Sequence, residues 1–148
     1  MKKIMLLTLS FLSVLVLDIQ AQNFKVITVV ESIVPGGLGR SRIIEEKNPM
    51  DVEDFTTERT DGQDSKQNEV KRKDAKVDAF EETKLLNFYS IAGINFQNIA
   101  SNDALITAKL NQLASEGWDL AFVTSGVESS SGAEDGNGIF ITRFVFKK

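Results

Sequence analysis

Apolar positions along the chain follow two rhythms. Between residues 101 and 117 they recur at spacings of three and four: Ile106, Leu110 and Leu113 form one stripe, and Leu105 widens it. Lys109, Asn111, Gln112 and Ser115 fall on the other side. That spacing predicts an amphipathic helix. Ser101 or Asn102 offers a side-chain oxygen to the unpaired amides of the first turn, and Asp103 suits the positive end of the helix dipole. Gly117 fits the left-handed position just past the helix, and Trp118 then stands where it packs back on Leu113. Trp118 opens the next strand.

Elsewhere the rhythm is that of strands. Residues 24–33 are β-branched and apolar enough for a central or half-buried strand. Pro35-Gly36-Gly37-Leu38-Gly39 breaks it, and residues 40–45 pair back as a second strand. Residues 84–91 predict a strand with Leu86, Phe88 and Ser90 on one side, after which Gly93 turns the chain into residues 94–99. Residues 118–124 alternate large apolar with smaller side chains, which predicts one buried face. The last strand, 138–146, carries Phe140, Phe144 and Phe146 on one face and Ile139, Ile141 and Val145 on the other. Both of its faces are covered, or one is covered and the other meets a partner. The elements together predict an α+β fold, an antiparallel sheet of four to five strands with one main helix packed on a face. Residues 47–82 differ from the rest, with half of the 36 positions charged. Such a stretch buries too little surface to offset its ordering entropy, so it reads as a mobile insertion. Val70, Val77 and Phe80 mark a weak helical face over residues 65–82, and Lys71-Arg72-Lys73 among acidic neighbours reads as a solvated face.

The N-terminus changes the setting. Met1-Lys2-Lys3 precedes a 14-residue apolar run from Ile4 to Leu17, too short for a bilayer span of about 20 residues. With Ala21 as the small residue before cleavage, residues 1–21 read as a bacterial signal peptide and 22–148 as one exported, periplasmic or extracellular domain. No cysteine follows the apolar run, which excludes lipid attachment there, and no later stretch predicts a membrane span. The net charge of −4 gives no electrostatic footprint for nucleic acid or anionic lipid. The chain has neither His nor Cys. That excludes a Ser-His-Asp triad, a cysteine nucleophile, thiol-linked haem and an ordinary zinc site, and no cofactor is expected.

The run Leu110-Asn-Gln-Leu113-Ala-Ser-Glu-Gly117-Trp118-Asp119-Leu120, followed by a hairpin ending Ile141-Thr142-Arg143-Phe144, resembles the small bacterial family called domain of unknown function 4177. The early Phe24-Lys25-Val26 strand belongs to the resemblance, which covers residues 24–30 and 105–146. Residues 31–100 are far longer than the family's usual connection. The resemblance implies a compact α+β domain with antiparallel strands and a packed helix, in which Leu110, Leu113, Gly117, Trp118 and Leu120 are structural. It implies no activity.

Motifs with chemical potential are sparse. Gly36-Gly37-Leu38-Gly39-Arg40-Ser41 follows a strand, as a phosphate loop does, but matches neither glycine fingerprint; a tight turn or bulge accounts for it better. Asp135-Gly136-Asn137-Gly138 copies the middle of a calcium loop, yet positions one and twelve would be Ala133 and Phe144, so no metal site is expected and a hairpin turn is the better reading. Glu45/Glu46, Glu81/Glu82, Glu116 and Asp119 are candidates for paired-carboxylate work, which needs two carboxyls in one cleft with separated pKa values. Arg40, Arg42 and Arg143 would hold a small anionic ligand if their strands neighbour each other, although ion pairing with Glu31 or Glu45 is the plainer expectation. The resulting expectation is an exported, non-enzymatic binding or assembly domain of the cell envelope, its partner an envelope component or a second copy. The alternatives are a carboxylate-dependent hydrolase of envelope glycans, or anion binding by those arginines.

Overall fold

The computed structural model describes residues 21–33, 41–90, 92–127 and 139–148. The expected signal peptide (apart from Ala21), the break at 35–39, Arg40, and the turn at 135–138 lie outside the described residues. Among the described residues, seven strands and one α-helix follow in chain order: β1 (Phe24–Ser32), β2 (Arg42–Glu46), β3 (Phe80–Lys84), β4 (Tyr89–Ser90), β5 (Gly93–Ile94), α1 (Phe96–Ser115), β6 (Asp119–Val127) and β7 (Ile139–Lys147). Five of them form an antiparallel sheet ordered β3-β2-β1-β7-β6, and β4 pairs β5 in a small hairpin. This is the expected α+β architecture, a five-stranded sheet with one main helix.

The β-branched run Val26-Ile27-Thr28-Val29-Val30 makes β1 the central strand, because such side chains pack well on a pleated surface covered on both edges. It pairs β7 over nine residues, from Phe24↔Lys147 to Ser32↔Ile139, and β2 from Ile27↔Glu45 to Val30↔Arg42. Alternation then sorts the side chains. Ile27 and Val29 turn toward α1 and join Ile43, Leu85, Leu113 and Phe146 in the buried core, against which Ile106, Leu110, Trp118 and Phe144 pack. Burying each such side chain stabilises the fold by roughly 1.5–3 kcal/mol.

The end of α1 is built as its sequence predicts. The Trp118 amide donates to Leu113 O and the Gly117 amide to Ala114 O, each at 3.0 Å, the paired bonds of a Schellman motif, with Gly117 at φ +85°. Lys148 Nζ donates to Glu116 O at 2.7 Å, placing a cation at the negative end of the dipole. The start differs. The helix begins five residues before Ser101, capped by Asn95, whose side chain accepts from the Asn98 amide at 3.2 Å. Ser101 and Asn102 therefore lie inside the helix. Leu105, expected on the buried stripe, is 41% exposed, and Lys109, expected to face solvent, turns toward Glu45 on β2.

Residues 84–91 do not form one strand. Leu85 is buried, and the backbone around it is bonded outside any ladder: the Leu85 amide donates to Ser41 O, the Leu86 amide to Asn102 Oδ1 and the Phe88 amide to Ser32 O. The charged stretch 47–82 contains two 3-10 turns, Glu53–Phe55 and Gln67–Glu69, and its end runs into β3. The helical face expected over 65–82 is not formed; apart from Ala75 and Ala79, charged residues fill the positions between its three apolar ones. The buried face expected for 118–124 is also absent, since every residue of β6 is exposed. β6 is a sheet edge, and a bulge between Leu120 and Phe122 sends these two side chains to opposite faces.

Candidate functional site

The face of the sheet turned away from α1 has no helix on it among the described residues. Cross-strand register lays it out in rows. One row runs Lys84, Arg42, Val30, Ile141, Gly126; the next runs Glu82, Ile44, Thr28, Arg143, Thr124; a third holds Val26, Val145 and Phe122. The β3–β2 end of this face is charged and partly covered. Arg42 and Glu82 form an ion pair, and with Ser41 and Lys84 they line a cavity of about 340 Å³. Beside it Pro49, Met50 and Val77 together with Ile44, Glu46 and Phe80 line an open cavity of about 620 Å³. At the β1–β7–β6 end the face is open: Phe24 is 63%, Val26 45% and Phe122 61% exposed, with Arg143 and Lys147 of β7 exposed in the neighbouring rows.

Two of the three candidate arginines share this face. Arg42 and Arg143 occupy adjacent rows with β1 between them, which separates their Cα atoms by roughly 12 Å at ordinary sheet spacings. Arg42 is engaged with Glu82 on the far side, whereas Arg143 has no ion-pair partner among the described residues. The third, Arg40, lies outside the described residues.

The carboxylates do not converge. Glu45 and Glu46, like Glu81 and Glu82, are successive residues of a strand and point to opposite faces. Lys47 and Arg42 hold Glu81 and Glu82 in ion pairs. Each of the cavities of about 620, 340 and 310 Å³ is lined by a single carboxylate, Glu46 or Glu82. Glu116 and Asp119 are exposed, and Glu116 accepts from Gln112 Nε2 at 3.0 Å. Among the described residues no three acidic side chains gather closely enough to hold a metal ion. No helix among them is long and apolar enough to cross a membrane.

Charged groups with shifted titration lie on the helix side. Burial pushes the Glu45 carboxyl up, but hydrogen bonds from Lys109 and Lys25, together with their charges, outweigh it and hold Glu45 below the ordinary carboxylate range. Lys25 Nζ sits 2.8 Å from Glu45 and 5.2 Å from the centre of the Trp118 ring. Glu31 is shifted the other way. Its burial raises the pKa, the Asn102 amide partly opposes this, and the Asp103 charge adds to it. Asn102, fully buried, also donates to Leu86 O at 2.7 Å and accepts from the Leu86 amide at 2.8 Å. These are the contacts of a scaffold, and the chemistry they leave exposed is that of the open sheet face.

No family model, curated protein or solved structure matches the chain. Sequence patterns marked the arginines and missed Phe24, Val26 and Phe122. The signal for the first two was present, because even-numbered residues of β1 oppose the face of Ile27 and Val29. For Phe122 it was absent, because the bulge that redirects this side chain has no local marker.

Proposed function

We propose that the chain is an exported, non-enzymatic α+β domain of the bacterial cell envelope that works by binding or assembly through the open face of its sheet. The observation that carries this is the outer end of that face, where Phe24 and Val26 of β1 and Phe122 of β6 are exposed on either side of the half-buried Val145 of β7. Isolated exposed apolar residues are ordinary, but a contiguous patch marks an interaction surface. The N-terminal pattern of two lysines followed by an apolar run supports export. The helix, Gly117, Trp118 and strand order supports kinship with the domain of unknown function 4177 family. Against the hydrolase alternative, none of the cavities of about 620, 340 and 310 Å³ holds two carboxylates.

Fractionation of bacteria expressing the full chain tests the proposal. The expected product begins at Gln22, is found outside the cytoplasm, and either self-associates in light scattering or co-purifies with an envelope component. A cytoplasmic product overturns the reading, as does an exported one that is strictly monomeric and binds nothing in the envelope.

A further inference from the structure

Resting on that binding reading, we propose that β6 is the pairing edge for a second copy of this chain. Two β6 strands meet antiparallel about a twofold axis at Thr124, joining two five-stranded sheets into one.

The two edges of the sheet are built in opposite ways. β3 is five residues long, carries Glu81, Glu82 and Lys84, and is tied by the Lys47–Glu81 and Arg42–Glu82 ion pairs. Short, charged edges resist the addition of another strand. β6 is nine residues long, exposed throughout, and has no charged side chain from Leu120 to Val127. Alternate backbone amides and carbonyls along such an edge face outward, a template for a further strand. The bulge between Leu120 and Phe122 disturbs its beginning, so the regular run is 122–127.

That run is complementary to itself. A twofold axis perpendicular to the sheet keeps each face on its own side. Centred on Thr124, it sets Phe122 of one copy opposite Gly126 of the other on the open face, and Val123 opposite Ser125 on the helix side. A side chain at Gly126 would meet nothing within 4 Å, so the space beside it is free to take an aromatic ring. Cross-strand cover of an edge glycine by an aromatic ring is a stabilising arrangement in sheets. Charge points to the same place. Two copies that each carry a net charge of −4 repel over much of their surface, but along residues 122–127 no like charges meet. Pairing there also merges the two exposed Phe24, Val26 and Phe122 patches into one face. A strand pair this short falls at the small end of interface sizes, so the dimer forms reversibly with protein concentration.

The chain lacks cysteine, so a single introduced thiol reports the contact without interference. Facing Cα atoms in an antiparallel pair lie about 4.5–5.5 Å apart, within disulfide range. Mild oxidation of Thr124→Cys in the full chain is expected to give a covalent dimer, while Thr83→Cys on the opposite edge stays monomeric. Thr124→Lys sets two cations face to face and is expected to raise the dissociation constant at least about tenfold in light scattering. A Thr124→Cys variant that cross-links no better than Thr83→Cys, or a wild-type chain monomeric at every concentration, overturns the pairing. If that monomer still captures an envelope component, the edge proposal alone falls; if it captures none, the binding reading falls with it.

Discussion

Asn102 holds three elements together. From the middle of α1 its amide reaches the Glu31 carboxylate on β1, at 3.0 Å, and both backbone groups of Leu86 in the segment after β3. It occupies the stripe position one turn before Ile106, where an apolar residue would take from the Leu86 amide and carbonyl their part-buried partner. Asn102→Ala is therefore expected to destabilise the fold by about 2–4 kcal/mol, read as a lowered urea midpoint. The carboxylates nearby give a pH dependence whose sign differs between two residues. The folded chain holds Glu31 above the ordinary value of 4.5, so its charged form opposes folding; that penalty develops as pH rises through the folded value and is absent below about 4.5. Glu31→Gln keeps an acceptor for Asn102 and removes the charge. The variant should be more stable than wild type at pH 7, by less than about 1 kcal/mol since the group is half-exposed, and equal to it at pH 4. Glu45 is held below 4.5, so its contribution is present at neutral pH and disappears as pH falls through its folded value. In the same titration Glu45→Gln should be the less stable variant at pH 7, converging on wild type in acid.

Among the elements, α1 and its exit show what a short stretch of chain settles by itself. The glycine stop is conformational rather than steric: a Cβ at Gly117 would meet only Lys148 Cε and Nζ, at 3.5 and 3.6 Å, which is ordinary contact. Gly117→Ala is accordingly expected to cost about 1 kcal/mol for placing an alanine at positive φ, with Gly117→Asn losing less; thermal denaturation of the pair separates them. The start of the helix is marked less sharply in the chain. Residues 95–97 and 101–103 both offer capping oxygens, and packing chose the earlier one. β6 shows the converse. Its alternating text suggested a buried face, but its position at the edge and the bulge at Ala121 leave every residue exposed.

At the scale of the whole molecule, the sheet is asymmetric in two directions. One face is covered by α1 and the other is open at its β1–β7–β6 end; one edge is short and charged, the other long and uncharged from Leu120 to Val127. The core accounts for the covered face, while the open face and the β6 edge stay exposed. The candidate arginines reflect the same layout. Arg42 and Arg143 reach one face, as their strand positions allow, but β1 stands between them and Glu82 draws Arg42 away.

The sequence by itself determined the α+β class, the strands around β1 and β7, and the Gly117-Trp118 helix exit. These follow from interactions within a few residues: side-chain alternation, spacings of three and four, and the backbone preference of glycine. Only the tertiary structure decided which strand is an edge, which face stays open, and what Asn102 and Lys109 touch. Those outcomes depend on pairings such as Val26↔Val145 and Glu31 with Asn102, between residues far apart in the chain. Their formation is a competition among distant surfaces for burial and hydrogen bonds, which no local pattern encodes.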